Sequence, residues 1–125
     1  MTRDEFDSLA DGLLLMSESD APLTYFELPE VKVGEWPPAT SAQFLKLIGE
    51  TQDTPVREIA AEKFFAALAQ GNEDLQAQVK KLQQAFARLK DLKCYRVGEI
   101  EIEIYLLGRD AAGKICGLQT LSVET

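Results

Sequence analysis

The clearest periodicity in the chain lies near its end. Residues 99–104 read Glu-Ile-Glu-Ile-Glu-Ile, so Glu99, Glu101 and Glu103 alternate with Ile100, Ile102 and Ile104. A repeat of two places carboxylates on one face of a strand and isoleucines on the other. The pattern predicts one long strand from Cys94, a turn over residues 108–113 with glycine at both ends, and a return strand over residues 114–123.

Elsewhere the apolar positions recur at steps of three and four. Phe6, Leu9, Ala10, Leu13 and Leu14 predict a helix over residues 3–16, opened by Thr2 and Glu5 at capping-box spacing. Gly12 inside that helix is expected to mark close packing against another element. Residues 17–22 read as a polar turn. Residues 23–28 read as a strand with Phe26 and Leu28 on one side; Pro29 either weakens its far end or makes it an edge strand, with Val31 and Val33 as a continuation after the break. A loop carrying Trp36, read as packing on its own domain, leads to a second helix at Thr40, with Gln43 as capping partner and Gly49 as its stop. Residues 56–58 form a short strand, and residues 60–69 a helix turning Phe64, Phe65 and Leu68 inward. Residues 73–92 form the longest helix, with Leu75, Val79, Leu82, Phe86 and Leu89 along one stripe. That stripe covers barely two heptads, so it reads as packing on the chain's own sheet rather than as a coiled-coil seam. Without repeats or linkers, the expectation is one α+β domain over residues 1–125, an antiparallel sheet layered with helices and ending in a β-hairpin.

Charge changes the picture. The net charge of −8 over 125 residues argues against nucleic acid or an anionic membrane as a partner, because phosphates repel such a surface. It favours a basic partner, or solubility alone. Nine acids against Arg3 and Lys32 put −7 of that charge in residues 1–35. No signal peptide and no stretch of transmembrane length is apparent. If Cys116 lies opposite residue 105 on the expected hairpin, Cys94 is roughly 36 Å away, beyond the roughly 7 Å that a disulfide spans between Cα atoms. Free thiols fit a reducing cytoplasm, which is the expected location.

The chain has no histidine. That removes the usual general base, the commonest transition-metal ligand and any Ser-His or Cys-His nucleophile. Phosphate-binding and dinucleotide-binding glycine motifs are missing too, so no cofactor is expected. Carboxylates alone can do acid–base work, but Glu99, Glu101 and Glu103 read as a solvated strand face. The expectation is a protein that is not an enzyme.

Two small acidic signals remain. Ser17, Glu18, Ser19 and Asp20 present carboxylates at a turn, and Glu124 and Thr125 close the sequence just after a strand. These residues carry a resemblance. Asp11–Ser19, reading DGLLLMSES, with Pro22 and a strand after it, resembles the opening of the nuclease A inhibitor family. The C-terminal block is similar again at Tyr95, Arg96, Gly98, Glu99, Glu101, Tyr105, Gly108, Ala112, Gly113, Gly117, Thr120, Val123, Glu124 and Thr125. The sequence departs from the family at residues 70–74, where an acidic loop with a tryptophan contact is replaced by Gln-Gly-Asn-Glu-Asp.

The resemblance implies an α/β/α-layered fold and inhibition of a sugar-non-specific, metal-dependent nuclease of the ββα-metal class. It implies that Glu18 and the terminal carboxylate of Thr125 reach the nuclease active site, with Thr125 engaging the magnesium there, directly or through water. The expected partner is thus a nuclease, met by a monomer that binds no nucleic acid and no membrane itself. The alternative is a module of the same fold directed at another basic or metal-bearing partner. A nuclease cleft is basic and holds a hard cation that prefers oxygen ligands, so carboxylates can replace the scissile phosphate there.

Overall fold

The computed structural model describes residues 1–29, 31–32, 34–50, 54–71 and 73–124. Its elements in chain order are α1 (Arg3–Ala10), β1 (Leu14–Leu15), β2 (Ala21–Pro22), β3 (Thr24–Leu28), α2 (Ser41–Leu47), β4 (Val56–Ile59), α3 (Ala61–Leu68), α4 (Glu73–Phe86), β5 (Lys90–Val97), β6 (Glu101–Arg109) and β7 (Ile115–Val123). β1 and β2 pair with each other. The other strands form one antiparallel sheet in the order β3-β7-β6-β5-β4.

The expected strand through residues 94–107 is in fact two strands, β5 and β6, which pair with each other. Gly98 turns the chain between them. Its φ is 115°, and a Cβ there would stand 2.5 Å from the Glu101 carbonyl oxygen. The Glu-Ile alternation runs across this turn and hides it. Ile100 therefore sits in the turn, 58% exposed, while Ile102 and Ile104 are buried as the alternation requires. At the other end Gly108 belongs to β6 rather than to a turn, because its missing side chain leaves room for Leu89. The β6–β7 turn is closed by Asp110, whose Oδ1 accepts from the Ala112 and Lys114 N–H groups at 2.9 Å each.

Two helices stop earlier than their stripes suggest. α1 is capped as expected, Thr2 Oγ1 accepting from Glu5 N at 3.2 Å, but it ends at Ala10 instead of residue 16. Gly12 has φ 77° and open space where a Cβ would be, so it breaks the helix instead of packing closely. Leu13 and Leu15 are buried and Leu14 exposed, a strand alternation that coincides with helical counting. α4 ends at Phe86 instead of residue 92; Leu89 is buried beyond it, and β5 has already begun at Lys90 with a bulge and φ 55° at Asp91.

The extra strand changes the cysteine geometry as well. Cys94 pairs with Leu106, and Cys116 with Gly108 and Glu27, so the two cysteines lie two strands apart and two residues out of line, roughly 12 Å rather than 36 Å. Both are free and buried, and burial pushes the Cys94 thiol up to about 12.

Helices cover both faces. Phe6 of α1, Phe64, Phe65 and Leu68 of α3, and Leu82 and Phe86 of α4 pack against Tyr25, Ile102, Ile104, Leu106 and Leu118. On the opposite face Phe44 and Leu45 of α2, with Trp36, pack against Leu28, Tyr95, Tyr105, Leu107 and Ile115. Even-numbered residues of β6 face one layer and Tyr105 and Leu107 the other, as a period of two requires. Trp36 is 3% exposed and packs on its own chain, donating from Nε1 to the Asp91 carbonyl at 2.9 Å. Val31 lies in no strand, and Val33 is outside the described residues. No helix among the described residues is long and apolar enough to cross a membrane.

Gly117 of β7 leaves no room for a side chain against β6. A Cβ there would meet the Leu106 carbonyl oxygen at 1.9 Å, and neither backbone can withdraw without breaking the ladder. Gly117→Ala is expected to cost about 1–3 kcal/mol of stability, as overpacked cores do. Urea denaturation checks this; an unchanged midpoint contradicts it.

Candidate functional site

β7 outruns its neighbour on one side. β3 pairs only as far as Thr24 with Gln119, so residues 120–123 of β7 have an open edge there. The β1–β2 hairpin, which precedes β3, fills it. Pro22 has no N–H for a ladder, and its carbonyl accepts instead from Thr120 Oγ1 at 2.9 Å.

Farther along the same edge, the tip of the hairpin is fastened to the last residue of β7. Val123 N donates to Ser17 Oγ at 3.0 Å, and Glu18 N donates to the Val123 carbonyl at 3.3 Å. Ser17 Oγ also donates to the Ser19 carbonyl at 2.8 Å, which closes the tip on itself. Ser17 is half-buried by these contacts, and Glu18, Ser19 and Asp20 are exposed. The main chain of the tip is thus fixed against the strand end while its carboxylates face solvent.

On the other side of Val123 stands Glu101 of β6, its register partner. The next residue, Glu124, donates its N–H to the Ile100 carbonyl at 2.9 Å. Its exposed carboxylate is held against the sheet, with Oε2 accepting from Ser122 Oγ at 2.7 Å and from Arg96 Nη2. These two donors, Ser122 first, hold the Glu124 carboxyl below its ordinary value of 4.5. Arg57 lies directly opposite Arg96 in the β4–β5 register, so two guanidinium-bearing residues face this one carboxylate. Next to it a cleft of about 670 Å³ is lined by Met16, Arg57, Lys63, Phe64, Arg96 and Glu124, among others. A lowered pKa suits a fixed ion pair and is the opposite of what a proton-donating glutamate needs.

The structure therefore brings Ser17, Glu18, Ser19, Asp20 and Glu124 to one end of the sheet. Thr125 lies outside the described residues. The sequence named Arg96 only as part of the family likeness, without a role, and Ser122 only as one residue of a strand; their meeting with Glu124 comes from folding, with no local signal. Among the described residues no group of three or more histidine, cysteine, aspartate or glutamate side chains is placed to hold a metal ion.

The Arg96–Glu124 pair has a testable pH signature. Its glutamate has a folded pKa below the unfolded one, so its stabilisation is complete above the ordinary glutamate range and disappears as pH falls through the lowered value. The side chains are 22% and 47% exposed, so solvent screening holds the contribution to at most about 1 kcal/mol near neutral pH. Arg96→Gln is expected to remove that increment near neutrality and to change little once the pH lies below the lowered value, where the glutamate is protonated in both states. Melting curves across this range check it, and an equal loss at both ends contradicts it.

The family model described as nuclease A inhibitor-like protein matches residues 2–125. No curated protein matches the sequence.

Proposed function

Because the chain belongs to the nuclease A inhibitor-like family, an inhibitor family whose members act on a nuclease, we propose that it inhibits a sugar-non-specific, metal-dependent nuclease of the ββα-metal class. Glu18 and the α-carboxylate of Thr125 are the groups presented to the active site in this reading. The terminal carboxylate approaches the nuclease's magnesium, and Glu18 engages the basic residues around it. Neither step requires catalysis by this chain. The inhibitor acts as a monomer in the cytoplasm, bound to the nuclease protein and not to its nucleic acid substrate.

One observation carries this reading beyond the family match. The Ser17–Glu18 tip is hydrogen-bonded through Val123 to the end of the final strand, so Glu18 and the last described residues share one surface. A single partner footprint of about 800 Å² covers both. The chemistry then follows from charge. Replacing a scissile phosphate at a hard cation takes oxygen anions, and a net charge of −8 steers the chain toward a basic cleft. Glu124 supports this surface, because its carboxylate is held by Arg96 and Ser122 beside the strand end.

The test is digestion of DNA and of RNA by a bacterial sugar-non-specific nuclease with magnesium, with and without the protein. Loss of both activities near one equivalent is expected. Full activity at a large excess of the protein contradicts the reading.

A further inference from the structure

Three large apolar side chains are exposed among the described residues: Leu14 at 42%, Ile100 at 58% and Met16 at 70%. Two of them stand beside the acidic strand end. Met16 immediately precedes Ser17, which binds one side of Val123, and lines the cleft next to Glu124. Ile100 lies on the other side, its carbonyl accepting from Glu124 N and its neighbour Glu101 in register with Val123. The two residues therefore lie on opposite flanks of the end of β7.

We infer that Met16 and Ile100 are the apolar anchors of the nuclease-binding surface, one on each side of the carboxylates. The inference rests on the proposed function and adds to it which side chains supply the buried apolar area. The kind of partner is indicated by what surrounds them. Glu18, Asp20, Glu99, Glu101 and Glu124 are exposed at this end, against Arg57, Lys63 and Arg96 in the cleft beside Met16, so a surface that covers the two apolar side chains must also satisfy an excess of negative charge. A basic protein surface with apolar patches does both. Apolar contacts on each flank also keep water away from the charge pairs between them, where a lower dielectric strengthens the attraction. Methionine suits this position because its unbranched thioether adapts to an irregular partner.

The inference separates apolar from electrostatic contributions, and so does its test. Binding of a magnesium-loaded bacterial sugar-non-specific nuclease is measured for the wild type, Met16→Ser, Met16→Leu, Ile100→Ser and Glu18→Gln at several salt concentrations, with Gln84→Ser on the outer face of α4 as control. Met16→Ser and Ile100→Ser are each expected to weaken binding about tenfold or more. That factor should stay constant with salt, and Met16→Leu should restore most of the loss. Glu18→Gln should instead flatten the salt dependence, because it removes a charge. Both positions are exposed, so melting temperatures should be unchanged. Serine variants that bind within twofold of the wild type overturn the anchor assignment alone. A wild-type protein that binds no such nuclease overturns the function on which it rests.

Discussion

Extending the chain with Gly-Ser after Thr125 is expected to abolish nuclease inhibition while leaving its melting temperature unchanged. In the proposed mechanism the α-carboxylate of Thr125 needs its charge, both oxygens and a fixed reach. Each added extended residue moves the charge about 3.3 Å and puts peptide where the metal stands. The fold should tolerate this, because the added residues lie beyond the contacts that hold Glu124 to Ile100, Ser122 and Arg96. A C-terminal amide separates charge from bulk, since it keeps the shape and removes the negative charge. Losing one partner of a desolvated charge pair costs about 2–5 kcal/mol, or roughly thirtyfold to several thousandfold in affinity. Inhibition titrations of acid, amide and extended forms check this. Full inhibition by both altered forms contradicts a role for the terminal carboxylate.

Replacing Glu18 is expected to have an effect of the same order. Its main-chain N–H holds the tip to Val123, and that bond survives any side-chain change. Glu18→Ala should therefore preserve the site's geometry and remove only the carboxylate. The expected loss is about 2–5 kcal/mol of inhibitor affinity, with stability within about 0.5 kcal/mol of the wild type. Comparing the inhibition constant with the urea midpoint for the same variant checks both parts. An unchanged inhibition constant contradicts the role given to Glu18, and a collapsed midpoint shows that the tip depends on more than its main chain.

The parts of the fold that follow from local periodicity were legible in the sequence. Thr2 and Thr40 cap their helices, Phe64, Phe65 and Leu68 turn inward, and residues 115–123 return along β6 after the turn that Gly113 marks. Where two elements share one rhythm, sequence reading merged them. The Glu-Ile alternation crosses Gly98 without a break, yet a strand over residues 94–107 would exceed the roughly 3–10 residues usual for strands, and that excess was the available clue. Leu13 and Leu14 satisfy a helical count although Gly12 has already ended the helix. The site divides in the same way. Ser17 to Asp20 and Glu124 were legible from residue type and family likeness, but their contact was not. It depends on β3 stopping at Thr24 and leaving the edge of β7 open to the hairpin, which is a property of the assembled sheet.

Competition for the nuclease active site distinguishes replacement of the scissile phosphate from binding elsewhere on the nuclease. A labelled, non-cleavable oligonucleotide is bound to the magnesium-loaded nuclease, and this protein is titrated in. If carboxylates replace the scissile phosphate, the oligonucleotide must leave as the protein binds, one for one, and raising the oligonucleotide concentration must raise the apparent dissociation constant of the protein in proportion. A stable ternary complex, with the oligonucleotide still bound at saturating protein, would contradict it.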